Sequence, residues 1–199
     1  MPQTWDDAAL IVVDLQNDFC PGGALAVPDG DAIVPRVNQW VETFAQKGRP
    51  IAYTQDWHPP GHISFRERGG PWPPHCVQGT PGAQLHPALL VRGTLFRKAF
   101  DPDRDAYSGF ESVRVEPDGR LSNEGLAAWL RRMGVRRLLV VGLATDYCVR
   151  ATALDGLKAG FAVTVDPAAC RAVDVEPGDG ERALAELSRA GATVAPADA

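Results

Sequence analysis

The 199-residue chain carries 45% hydrophobic and 23% charged residues, an ordinary globular composition with enough apolar material for one sizeable core and too little length for two. Its formal net charge of −5 gives no basic field for nucleic acid or an anionic membrane surface, which leaves a small molecule as the expected partner. No window approaches the roughly 18 apolar residues of a membrane helix, and the acidic start MPQTWDDAALIVVDL lacks the features of a secretory signal, so a cytoplasmic protein is expected.

In chain order, apolar runs recur at 9 to 13 (ALIVV), 51 to 54 (IAYT), 94 to 96 (TLF), 137 to 143 (RLLVVGL), 162 to 165 (AVTV) and, more weakly, 192 to 195 (ATVA). They are continuous rather than alternating, as in strands buried on both faces of a parallel sheet. Helical patterns lie between them. Residues 31 to 47 put Ile33, Val37, Trp40, Val41 and Phe44 on one stripe and end at Gly48. Residues 122 to 133 open with Ser122 as a cap and stop at Gly134, and residues 179 to 190 open with Asp179 and stop at Gly191. The alternation predicts one α/β domain over 1 to 199: a doubly wound, mainly parallel sheet of five to six strands between two helical layers. Residues 57 to 93 resist regular structure. They hold seven prolines and all four histidines, a long connection of the kind that compact domains keep for function.

In open α/β sheets the ligand lies beyond the carboxyl ends of the strands. The first polar groups there are Asp14, Asp56, Lys98 and, through ATDY, Cys148. Any one of them could be an ordinary strand terminus, and a free cysteine is most often a core residue; their joint placement is what suggests chemistry. Thr145 or Asp146 would cap a helix over 147 to 159, setting Cys148 in a first turn where the helix dipole and Lys98 lower the thiol pKa. Asp14 could then act as base toward the thiol and acid toward a leaving amine, so that Asp14, Lys98 and Cys148 form a nucleophilic triad. Cys20, Cys76 and Cys170 have no evident partners, and their scatter argues against disulfides.

The DWH segment directs Asp56 and His58 to one side of an extended run with Trp57 opposite. A carboxylate with an imidazole suits one divalent metal, Zn first and Fe or Mn next, with His75 or His62 as the third ligand and positions left open for water or substrate. His86 reads as an ordinary loop histidine. No G-x-S-x-G elbow, G-x-x-x-x-G-K-[ST] loop or G-x-G-x-x-G fingerprint is present.

The segments VVDLQNDFCPGGAL, TQDWHPPGHISF, WPPHCVQGTPGAQLHP, RKAFDPDRDAYSGFE and VVGLATDYCVRATALDGL together resemble the nicotinamidase/pyrazinamidase family of the isochorismatase-like cysteine hydrolases. The resemblance runs from about residue 8 to 166 and implies hydrolysis of nicotinamide to nicotinate and ammonia in NAD salvage, through a cysteine thioester, with pyrazinamide as a second substrate. It implies Asp14, Lys98 and Cys148 as the catalytic residues and Asp56, His58 and His75 as metal ligands. Phe19, Trp72 and Tyr107 fall at the family's aromatic pocket positions. A cis peptide is implied between Leu143 and Ala144, turning the Ala144 amide toward an oxyanion hole. His62 lies where some relatives have an extra metal-bound histidine. The alternatives are a related cysteine amidase acting on another small amide or carbamoyl compound, a metallohydrolase in which Cys148 is a bystander, and a non-catalytic metal-binding protein. A homo-oligomer is compatible with the sequence, which does not distinguish interface from core.

Overall fold

The computed structural model describes residues 5–196. Eight strands among these residues form one sheet: β1 (Ala8–Val13), β2 (Ile51–Asp56), β3 (Thr94–Lys98), β4 (Val113–Val115), β5 (Leu121–Gly125), β6 (Arg137–Leu143), β7 (Ala162–Arg171) and β8 (Thr193–Val194). Their spatial order is β5-β4-β3-β2-β1-β6-β7-β8. From β3 to β8 every pairing is parallel, and β4 and β5 add an antiparallel edge. The mainly parallel sheet matches expectation, and the two extra strands come from the antiparallel edge. They are short, and neither contains a buried residue, so neither carries the apolar run that marks a central strand.

The continuous apolar runs are explained by burial on both faces. Alternate residues of β1 serve opposite layers: Ala8, Leu10 and Val12 pack with Val37, Trp40 and Phe44 of α1 (Val34–Gln46). Ala9, Ile11 and Val13 join Leu126 and Leu130 of α2 (Leu126–Arg132), Ala153 of α3 (Arg150–Lys158) and Leu187 of α4 (Asp179–Arg189). Each fully buried aliphatic side chain contributes about 1.5–3 kcal/mol relative to exposure.

Three helix starts differ from the sequence expectation. Residues 121 to 125 are strand, and α2 begins at Leu126 after Gly125; the Ser122 hydroxyl accepts the Glu124 N–H (3.0 Å) inside that strand. Asp179 is the first residue of α4 rather than its cap, and its carboxylate accepts the Glu176 N–H at 2.9 Å. Neither Thr145 nor Asp146 caps a helix. Residues 145 to 149 form a single π-helical turn that leads into α3, with Ala144 preceding it and no side-chain cap. Cys170, expected after the fifth strand, lies within β7, which runs on to Arg171.

The order of strands reverses between β1 and β6, making their carboxyl ends the switch point at which α/β sheets bind ligands. Gly142 allows the close approach there. Its φ is +118°, and a side chain would run into the Val13 backbone, so the permissive backbone of glycine is required.

Candidate active site

Register sets the first part of the site. Asp56 and Lys98 are direct partners at the ends of β2 and β3, so a carboxylate and an ammonium emerge side by side. Asp14 follows β1 in a left-handed conformation (φ +45°), which turns its fully buried side chain toward them. The Thr54 hydroxyl, from the adjacent strand, donates to one Asp14 oxygen at 2.6 Å and accepts the Asp14 N–H at 3.2 Å. The other Asp14 oxygen lies 2.9 Å from Lys98 Nζ.

Lys98 is the hub. Its fully buried ammonium touches Asp14, Asp56, the Ala106 carbonyl (3.2 Å) and Cys148 Sγ (3.5 Å). Burial opposes its charge, but Asp14, Asp56 and Cys148 more than compensate and hold Lys98 protonated, well above the usual range. Cys148 arrives from the other side of the switch point on the π-helical turn, and the Leu143–Ala144 peptide before that turn is cis. The turn closes through the Ala144 carbonyl, which accepts the Tyr147 and Val149 N–H groups, both at 3.1 Å. The three residues expected as a triad are thus brought together.

The electrostatics of the thiol differ from the expectation. Burial raises Cys148 well above its ordinary value; Lys98 opposes that shift, while Asp14 and Asp56 reinforce it. Asp14 is also raised, first by burial and then by the Asp56 charge, against Lys98. Asp56 behaves oppositely: burial would raise it, but Lys98 and His58 hold it below the carboxylate range.

Asp56, His58 and His75 each offer a ligand atom within 4.8 Å of the others, and all three are buried. The Pro73–Cys76 turn fixes the His75 tautomer: Nδ1 lies 2.8 Å from the Pro73 carbonyl, so that nitrogen carries the proton and Nε2 keeps its lone pair. Burial, with His58 adding to it, lowers the His75 pKa and keeps the ring neutral, although Asp56 pulls the other way. His58 is held beside this turn by backbone bonds from its N–H to the Cys76 carbonyl (3.0 Å) and from the Gln78 N–H to its own carbonyl (2.8 Å). Both His58 ring nitrogens are buried without a protein partner, and Nε2 is 3.7 Å from Asp56. Buried polar atoms are rarely left so. A divalent cation fits the donor set and would take up one of the two orphaned imidazole nitrogens. Trp57 points away, as expected, beneath the Arg97 guanidinium at 3.5 Å.

His62 is occupied elsewhere. Nδ1 accepts from Ser64 through its hydroxyl (2.7 Å) and N–H (3.2 Å), and Nε2 donates to the Arg104 carbonyl at 3.1 Å. Its ring packs against His58 with centroids 4.3 Å apart, behind the ligand set rather than in it. His86 accepts the Ala88 N–H at 3.3 Å in an ordinary turn.

Asp56, His75 and Cys148 open onto one cavity, also lined by Phe19, Trp72, Tyr107 and Ala144. The Trp72 indole donates to the Tyr107 hydroxyl at 3.0 Å. Sequence reading missed other lining residues: Leu25, Val27, Leu143, Tyr147 and Val173. Tyr147 adjoins Cys148 and packs edge-on against Trp72 at 5.1 Å. Val173 owes its place to Asp146, whose carboxylate accepts the N–H groups of Val173 and Asp174, both at 2.9 Å. Losing two hydrogen bonds to a charged group, worth about 1.5–3 kcal/mol each, should loosen this wall. Asp146→Ala is therefore expected to raise KM roughly tenfold with a smaller change in kcat, as steady-state kinetics would show.

The isochorismatase domain model matches residues 8–199. The nicotinamidase of Escherichia coli (strain K12) is 42% identical over 94% of this chain and 93% of its own length. Among solved structures, the pyrazinamidase of Pyrococcus horikoshii in complex with zinc superposes with a TM-score of 0.85 at 50% identity, covering 96% of this chain and 99% of the other. PnC1 from L. infantum in complex with nicotinate gives a TM-score of 0.83 at 37% identity over 100% of this chain and 99% of the other.

Proposed function

The chain belongs to the isochorismatase domain family, and from that premise we infer an amidohydrolase that converts nicotinamide to nicotinate and ammonia, with pyrazinamide as a second substrate. The observation that carries this reading is the shared cavity, where a cysteine with its own acid–base pair and a set of metal-ligating side chains meet the same aromatic-lined space. We read the whole chain, 1 to 199, as one domain with its metal-bearing loop at about 57 to 93.

In the proposed mechanism Asp14, Lys98 and Cys148 are the catalytic residues. Phe19, Trp72 and Tyr107 enclose the ring of the substrate and exclude water from it. Asp14 takes the proton of the Cys148 thiol as sulfur attacks the carboxamide carbon, and Lys98 stabilises the anions that exchange it. The Ala144 and Cys148 backbone N–H groups receive the oxyanion; removing one such donor costs on the order of 10²–10³ in rate in comparable sites. Asp14 returns the proton to the departing ammonia, leaving a nicotinoyl thioester on Cys148. It then activates a water molecule that hydrolyses the thioester and restores the thiol.

Asp56, His58 and His75 would hold one divalent cation, which we propose is zinc. Held by these three residues, it would supply a Lewis acid for the pyridine nitrogen, which would orient the carboxamide toward sulfur. Removing it with a chelator is expected to suppress ammonia release from nicotinamide at least tenfold. The rate at which iodoacetamide alkylates Cys148 should change less, and zinc should restore activity. An ammonia-release assay with nicotinamide, pyrazinamide and a carbamoyl amide as parallel substrates tests the assignment. A fully metal-loaded protein that releases ammonia only from the carbamoyl compound would overturn it.

A further inference from the structure

Two residues outside the ligand set connect the segment after β1 to the metal ligands. Gln16 is fully buried. Its amide spans the Asp56 peptide, with Nε2 donating to the Asp56 carbonyl (2.9 Å) and Oε1 accepting the Asp56 N–H (2.8 Å). The second Nε2 proton goes to the Ala83 carbonyl at 2.9 Å. Three of the four hydrogen-bonding positions of this side chain are therefore used on backbone, two of them on a ligand residue itself.

Asp18 acts at the other end of the site. One carboxylate oxygen accepts the N–H of Cys76 at 2.7 Å, and the other accepts the N–H of Ala24 at 3.2 Å. Cys76 follows His75 directly and sits in a left-handed conformation (φ +45°), sparsely populated for a residue with a side chain and maintained only where the surroundings impose it. Gly82 makes room for the contact, since a methyl group on it would overlap the Asp18 carboxylate. Asn17, between the two, donates to the Pro81 carbonyl at 2.8 Å and anchors the same loop.

We propose that Gln16 and Asp18 are positioning residues of the metal site, Gln16 fixing the backbone of Asp56 and Asp18 fixing the turn that aims His75. Alternate residues of one short segment then serve one site: Asp14 moves the proton, Gln16 sets the carboxylate ligand, and Asp18 sets an imidazole ligand. Partners in the outer layer of metal sites typically change affinity 10–100-fold when lost. The inference rests on Asp56, His58 and His75 as the ligands.

The test is the zinc dissociation constant, measured by competition with a chromophoric chelator, alongside the melting temperature of each metal-free protein. Gln16→Ala, Asp18→Ala and Gly82→Ala, the last displacing the Asp18 carboxylate without altering it, should each weaken zinc binding roughly 10–100-fold. Asp18→Asn, which keeps one acceptor, should recover part of the loss. If Gln16→Ala fails to fold, the two loop variants and Asp18→Asn carry the comparison. Folded variants that bind zinc within about twofold of the parent, whatever their melting temperatures, would overturn the proposal. Failure of the underlying ligand assignment looks different: the parent itself takes up no zinc, or His75→Ala binds it as tightly as the parent.

Discussion

Cys148→Ala is expected to reduce ammonia release from nicotinamide by a factor on the order of 10⁶, the scale on which loss of a nucleophile falls in covalent hydrolases. The size follows from the site. Cys148 is the cysteine within reach of Lys98, at 3.5 Å, and it lines the cavity onto which Asp56 and His75 open. Cys20, Cys76 and Cys170 are buried in the core clusters. Burial pushes Cys20 up to about 11 and Cys170 to about 12, with nearby carboxylates adding to both. None of the three lines the cavity that Cys148 lines. The alanine variant should still bind one divalent cation per chain, because no proposed ligand has changed. Substantial ammonia release from a metal-loaded Cys148→Ala protein would favour attack by water and reduce the cysteine to a lining residue.

Lys98→Met is expected to cost both activity and stability. The methionine fills much of the lysine stem's volume, so the loss is mainly of charge. Asp14 and Asp56 would then face each other and Cys148 in a buried site without the ammonium that they share. Removing one partner of a buried ion pair typically destabilises by about 3–5 kcal/mol, which for a chain of this size is a drop in melting temperature on the order of 10 °C. Catalysis should fall by at least about 10³-fold, because the ammonium that stabilises the thiolate and the ionised Asp14 is gone. Calorimetry and ammonia release report the two effects separately. A variant that melts lower yet turns over normally would place Lys98 outside the chemistry.

The sheet and its two helical layers were legible because burial on both faces of a parallel strand leaves an uninterrupted apolar run, as ALIVV and RLLVVGL do. The edge was not. In β5, LSNEG carries one large apolar residue, and a serine four positions before an apolar stripe also looks like a helix cap. The Cys148 turn was misread for a related reason. Thr145 and Asp146 have cap chemistry, but the carboxylate of Asp146 is spent on Val173 and Asp174, more than 25 residues away. Such a choice between local and distant partners cannot be read from local sequence.

Within the site, the strand-end residues were the readable part, since they interrupt apolar runs with groups that titrate. Thr54, Gln16 and Asp18 were missed because their roles are hydrogen bonds to backbone or to another side chain across the fold. The reading that Lys98 and a helix start would lower the thiol pKa gave too little weight to burial and to two neighbouring carboxylates.

The most direct test of this chemistry is mass spectrometry of protein quenched in acid during turnover of nicotinamide. The expected result is a single nicotinoyl group on the peptide carrying Cys148 and none on Cys20, Cys76 or Cys170. Nicotinate formed at the full rate while Cys148 remains unmodified at every time point would contradict it.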